Sequence, residues 1–261
     1  MPVVKTRDME PRDNYFVATC THVHESSEID ACARRRLTWL KSMYESGLRV
    51  KVGAVDGSPV GFLYIMPIEV CPGGALGKDL LAIPCLFVEK RAGGKAVGRS
   101  LVVDAEDEVR RQGKKGLATV AFYHDFWFMP APFFERCGFT VADRKGKTAA
   151  LWKALDPSAE PPRLLERNYI YEPAAGRVVV DLFWTTFCGT SDIEAHRVRE
   201  VAAEFGDAVV LREYCADDRA TLLRYQIPRG IFVNGREIGW GHEAPREGIR
   251  KAIGDAIKKV H

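Results

Sequence analysis

Long hydrophobic runs are missing from this chain of 261 residues. No apolar stretch approaches the ~20 residues needed to cross a bilayer, so a membrane-spanning protein is not expected. The N-terminus, MPVVKTRDMEPRDNY, has no apolar signal core and reads as that of a cytoplasmic protein. An excess of charge of one sign is missing too. The 38 Lys and Arg against 35 Asp and Glu leave +3, too little by itself to argue for nucleic acid. Seven cysteines, an odd number at scattered spacing, suit reduced thiols better than a disulfide framework. Internal repeats and low-complexity tracts are absent. So are two nucleotide signatures: the Gly-Lys-Ser/Thr pair of a triphosphate loop and the Gly-x-Gly-x-x-Gly of a dinucleotide loop.

What is present is the composition of a soluble globular protein, 46% hydrophobic and 28% charged. The length suits one large or two ordinary domains. The most informative stretch is Leu80 to Gly113. An apolar run to Val88 leads into a Gly-rich basic loop, Glu89 to Lys95. Then Val97, Leu101, Val102, Ala105 and Val109 recur at the spacing of a helix with one buried face. Gly113 follows cations in the last turn and stops the helix. Strand, Gly loop and helix N-terminus together read as a phosphate cradle, where free amides and the helix dipole point at an anion, or as an ordinary strand-to-helix connection with a tight turn.

Further along, Ala131 to Phe139 reads APFFERCGF. These two stretches resemble, in order, the acyl-CoA loop and the Ala-x-x-x-Tyr-x-x-x-Gly-Phe segment of the GNAT acetyltransferases. The resemblance covers about residues 15–155. It implies an α/β (α+β) fold with a mixed sheet, acetyl-CoA as cosubstrate, and an amine acceptor whose identity the sequence does not give. It implies that Leu86, Phe87 and Val88 pair with the pantetheine arm. It also implies that Gly93, Gly94, Lys95, Ala96, Val97, Gly98, Arg99 and Ser100 hold the pyrophosphate. Two positions depart from the family pattern. Gly93 stands where Arg or Gln is usual, and Phe134 stands where Tyr would protonate the leaving thiolate. Tyr123 or His124 is then expected to supply that proton, or the thiolate leaves unaided. Candidate general bases are Glu69, His22, His24 and His124.

Between these marks, Ser26 or Ser27 caps an expected helix through Ile29, Cys32, Leu37, Leu40 and Met43. Strands 49–55 and 60–68 flank an Asp56-Gly57 turn. Residues 70–79 read as a loop, either plain linkage or a substrate-side lid. Cys20, His22, His24 and Cys32 have ligand chemistry, but their spacing is no familiar zinc signature, and no metal is assigned.

The Pro-rich stretch 156–176 is expected as a linker between domains at 1–155 and 177–261. After it the order βαβαββα is expected. Ser191 and Glu194 look like a capping box on the first helix. This half resembles thioredoxin and glutaredoxin. Cys188 stands at the first redox position and Ser191 at the second, so Cys-Gly-Thr-Ser is a monothiol form. A thiol at a helix N-terminus is expected to be reactive. The two halves together resemble the YoaP-like acetyltransferases. Three functions remain in view. One is acetyl transfer from acetyl-CoA to a small-molecule or peptide amine, with no nucleic-acid or membrane partner. Another is thiol-redox or metal handling centred on Cys188. The third is ligand sensing by both folds. A homodimer is compatible with the sequence, which fixes no oligomeric state.

Overall fold

The computed structural model describes residues 3–20, 26–124, 128–239 and 243–259. The chain divides into two compact units, Met1–Val23 with Leu40–Leu165, and His24–Trp39 with Glu166–His261. Among the described residues, no helix is long and apolar enough to cross a membrane.

The first unit carries β1 (Val4–Asp8), α1 (Asn14–Thr19), the last residues of α2 (Ser27–Met43), β2 (Arg49–Val55), β3 (Ser58–Pro67), β4 (Ala75–Leu76) and β5 (Leu80–Val88). These are followed by α3 (Val97–Arg111), β6 (Gly116–Phe122), α4 (Ala131–Arg136), β7 (Thr140–Lys145), β8 (Thr148–Ala154) and β9 (Arg163–Leu164). Seven of the strands form one mixed sheet in the order β1-β2-β3-β5-β6-β8-β7. All its neighbours pair antiparallel except β5 and β6.

Helix α3 buries Val97, Leu101, Val102, Ala105 and Val109 against the sheet, as its spacing requires. Gly53 in β2 permits this approach, since a Cβ there would lie 2.6 Å from Val97 Cγ1. Beneath the helix, Lys51 is 2% exposed. Its ammonium meets Asp8 at 2.5 Å and Glu108 at 3.1 Å, so the buried cation is paired. The 70–79 stretch does not hang free. Ala75 and Leu76 are buried and pair with Leu164 and Arg163.

The second unit holds residues 27–39 of α2, then β10 (Val178–Trp184), α5 (Gly189–Ala203), β11 (Val209–Cys215) and α6 (Arg219–Tyr225). It ends in β12 (Gly230–Val233), β13 (Arg236–Ile238) and α7 (Arg246–Ile257). The βαβαββα order expected from the sequence is present. Its sheet runs β11-β10-β12-β13, with β10 and β11 parallel and the other pairs antiparallel. The capping box is not formed. Helix α5 starts three residues earlier than a Ser191 cap would place it, at Gly189, with Cys188 as its cap residue. Ser191 Oγ instead accepts the Thr185 N–H at 3.1 Å, and Glu194 accepts the Ala244 N–H at 2.8 Å.

Two segments join this unit from outside its expected span. Residues 27–39 pack on α5: Arg35 forks onto the buried Asp192 at 3.0 and 2.6 Å, and Ile29 and Cys32 cover Ile193. The stretch expected as a linker is divided as well. Arg163 and Leu164 form β9 in the first unit. Beyond them, the Asn168 N–H donates to the Tyr225 carbonyl at 2.8 Å and the Tyr169 hydroxyl to the buried Asp181 at 2.6 Å. Backbone and phenol bonds of this kind fix a segment that composition alone makes look loose.

Candidate functional site

The site begins with a failure of pairing. Strands β5 and β6 pair only from Leu80–Gly116 to Ala82–Ala118. Both then continue, β5 held by β3 as far as Val88 and β6 held by β8 as far as Phe122. Two strands gripped on their outer edges and no longer paired with each other on their inner edges open a wedge. At its fork the Thr119 hydroxyl donates to the Ile83 carbonyl at 2.8 Å, so a side chain takes over where the backbone ladder stops. The buried carbonyl is thereby satisfied.

The wedge leads to a cleft of about 520 Å³. On one side it is lined by Leu86, Phe87 and Val88, then by Gly93, Gly94, Ala96, Val97, Gly98 and Arg99. Every one of these was expected from the sequence. Lys95 is exposed beside them and does not line the cleft, and Ser100 faces a neighbouring hollow of about 370 Å³. Ala96 precedes α3 in a left-handed conformation, φ 61°, with no side-chain cap. The first intrahelical bond runs from Ser100 N–H to the Ala96 carbonyl at 3.0 Å. The amides of Val97, Gly98 and Arg99 therefore have no carbonyl one turn earlier to accept them. Those three residues line the cleft, beside the cations of Arg99 and Arg136. Free amides, a helix N-terminus and guanidinium groups make this end suited to phosphate.

The opposite wall comes from Met129, Pro130, Phe133 and Phe134, with Arg136 beyond. The sequence marked Phe134 as standing where the family pattern has Tyr, but gave Phe133 and Arg136 no role at the cleft. Phe134 is fully buried against Phe139, ring centroids 5.5 Å apart. Gly98 packs so closely on Phe133 that a Cβ would stand 3.1 Å from the ring. A glycine in the first turn of the helix, two residues after the small Ala96, was the available signal for that close approach.

The other candidates are dispersed. Glu69 lies at the closed end of the wedge, where its carboxylate accepts the Asp79 N–H at 2.7 Å and faces Lys114 at 3.6 Å. Tyr123 and His124 follow Phe122 directly, at the open end. The Tyr123 hydroxyl donates to Glu135 at 2.5 Å, under the Arg144 guanidinium at 4.1 Å. That hydrogen bond, with some burial, raises the phenol above its ordinary range. His124 stacks on Phe122, centroids 5.1 Å apart. His22 and His24 lie outside the described residues. Cys32, their fourth companion in the metal reading, packs in the second unit with its thiol 3.5 Å from the Gly189 carbonyl. Among the described residues no group of three or more His, Cys, Asp or Glu is placed to hold a metal ion.

Cys188 belongs to the second unit. It is half-buried at the start of α5, its sulfur 3.0 Å from Thr190 Oγ1. Arg229 donates to the same hydroxyl at 3.1 Å and pairs with Glu194 at 2.7 Å.

No family model matches the chain, and no curated protein matches it. Among solved structures the chain is similar to a GNAT-family acetyltransferase from Staphylococcus aureus Mu50. That likeness has 11% identity and a TM-score of 0.44, covering 59% of this chain and 100% of the other. It is also similar to the GNAT family N-acetyltransferase YhbS from Escherichia coli in complex with CoA. There the identity is 18% and the TM-score 0.42, over 62% of this chain and 90% of that one. A third is a GNAT family acetyltransferase from Brucella melitensis in complex with acetyl-CoA. Identity is 16% and TM-score 0.39, over 61% of this chain and 92% of the other.

Proposed function

We propose that the first unit is an acyl-CoA-dependent N-acetyltransferase that moves an acetyl group from acetyl-CoA to an amine. The observation that carries this reading is the wedge itself, which joins an apolar slot between β5 and β6 to a helix N-terminus rich in free amides. Such a shape suits a ligand with a thin apolar arm and a doubly charged diphosphate. Its volume lies in the range of small-molecule sites.

The diphosphate is held by the Gly93–Arg99 backbone, with Arg99 and Arg136 balancing its charge. The pantetheine arm lies along Leu86 to Val88 and takes strand-like hydrogen bonds there. The amine attacks the thioester carbon, a C–N bond forms, and the C–S bond breaks with loss of the thiolate. Holding both reactants in one slot supplies much of the rate. The amine's proton passes to a base at the open end of the wedge, where His124 stands. Glu69, at the closed end and engaged by Asp79, is less well placed for it. Phe134 has no proton to give and is buried, so the thiolate leaves with the help of Tyr123 or unaided, as a thiol pKa near ~8.5 allows.

A second reading concerns the other unit. Its βαβαββα order, with Cys188 heading α5 next to Arg229, suits a thioredoxin-like fold with a working monothiol. The two readings are compatible, since they use different units. Calorimetric titration with CoA and acetyl-CoA tests the first. Mass spectrometry of the protein after treatment with glutathione disulfide, mapped to Cys188, tests the second.

A further inference from the structure

We infer that Met129 sets the length of acyl group that the wedge accepts. The inference rests on the acyl-CoA reading of the cleft and adds a specificity residue to it. Met129 is 2% exposed and lines the cleft from the side facing β5. Its backbone is fixed to the other side. The Phe122 N–H donates to the Met129 carbonyl at 3.0 Å, and Pro130 bridges to Phe122 as the next residue. Its φ of +46° is a value that residues with a Cβ rarely adopt, and such residues gather at ligand clamps.

From this anchor the side chain crosses the wedge. Its thioether sulfur lies 3.3 Å from the Leu86 nitrogen and accepts that N–H. Leu86 N–H points away from β3, into the gap, and is one of the donors that an arm laid along β5 would use. Sulfur is a weak acceptor, so a ligand amide or carbonyl displaces it at small cost. Methionine has three rotatable bonds and can swing without moving its backbone. The structure therefore holds a plug whose root is fixed on β6 and whose tip is exchangeable on β5.

The consequence is steric. A thioester placed in the wedge meets Met129 beyond its carbonyl carbon. A two-carbon acyl group asks only for rotation of the thioether, whereas a longer chain needs the volume that the side chain fills. Truncation at this position should lengthen the accepted chain, while an isosteric replacement should not.

The test is calorimetric titration of the full chain with CoA, acetyl-CoA and hexanoyl-CoA, for the parent, Met129→Ala and Met129→Leu. The parent should bind acetyl-CoA more tightly than hexanoyl-CoA by about tenfold or more, the low end of what one misplaced methylene costs in a fitted pocket. Met129→Ala should bring the two within about threefold, and Met129→Leu, equal in bulk, should keep the parent ratio. A second readout is the methyl carbon signal of labelled Met129, assigned by its loss in Met129→Leu, which should shift when CoA is added. An unchanged ratio in Met129→Ala, or a parent that does not discriminate, overturns the inference while leaving the acyl-CoA reading in place. A parent that binds neither CoA nor its thioesters overturns both, and that result comes before any variant is made.

Discussion

The ring of Phe133 stands 3.1 Å from where a Cβ on Gly98 would be, so the first turn of α3 and the segment after β6 close on each other with no spare room. Replacing Gly98 by Ala sets two effects against each other. Helix propensity favours Ala by about 0.5–1 kcal/mol, whereas overpacking costs about 1–3 kcal/mol. The second should win, giving a net loss near ~1 kcal/mol in urea unfolding. Gly98→Glu adds bulk and a negative charge at the proposed phosphate end of the cleft and should abolish CoA binding in a protein that is still folded by circular dichroism.

The fork of Arg35 on Asp192 ties residues 27–39 to α5 within the second unit. Asp192 is 1% exposed, so removing its partner leaves a buried charge unpaired. Arg35→Ala should cost about 3 kcal/mol in the unfolding of this unit, the low end for breaking a buried pair, because the Arg35 side chain itself is 42% exposed. Arg35→Lys should recover only part of it, because one ammonium cannot replace a fork. A change within about 0.5 kcal/mol for Arg35→Ala would mean that the helix does not depend on this pair.

Glu108 gives a dependence on pH. Burial pushes its carboxyl up, but hydrogen bonds from Gln112, Lys51 and Arg111 outweigh burial and hold it below its ordinary value of 4.5. A carboxyl depressed in the folded state stabilises the fold above its unfolded pKa, and that contribution is lost as pH falls through the folded one. Stability should therefore decline as pH falls below about 4.5, and Glu108→Gln should flatten that decline. Urea midpoints between pH 3 and 7 measure both, at pH values chosen to bracket that carboxyl range. A parent and variant with parallel profiles would remove Glu108 from the account.

The cysteines differ in access. Cys32, Cys71, Cys85 and Cys137 are buried, and Cys20, Cys188 and Cys215 are not. Burial pushes the Cys215 thiol up to about 11, which slows it at neutral pH. Iodoacetamide at neutral pH, with peptide mapping, should label Cys188 ahead of Cys215 and of the four buried thiols. Labelling of Cys188 only after unfolding would make the second unit a scaffold.

Much of this was legible in the chain. Apolar spacing from Val97 to Val109 marked α3, and the small residues Ala96 and Gly98 marked a stretch that lines the cleft. The wedge was not legible, because it depends on where β5 and β6 stop pairing, a register between strands that are far apart in sequence. Thr119 at the fork and Met129 across the gap carry no local signal for the same reason. The amphipathic pattern of 27–43 announced a helix but not which core it would cover, and Arg35 finds its partner 157 residues away. Ser191 had the spacing of a cap, yet its hydroxyl serves Thr185, so the helix takes its start from Cys188.

The central claim is that the loop from Gly93 to Arg99 and the wedge beside it bind acyl-CoA. Calorimetric titration of CoA into the parent and into Gly98→Glu tests it most directly. The account predicts one site per chain in the parent and no measurable heat of binding in the folded variant. A parent that shows no binding, or a variant that binds as the parent does, would contradict it.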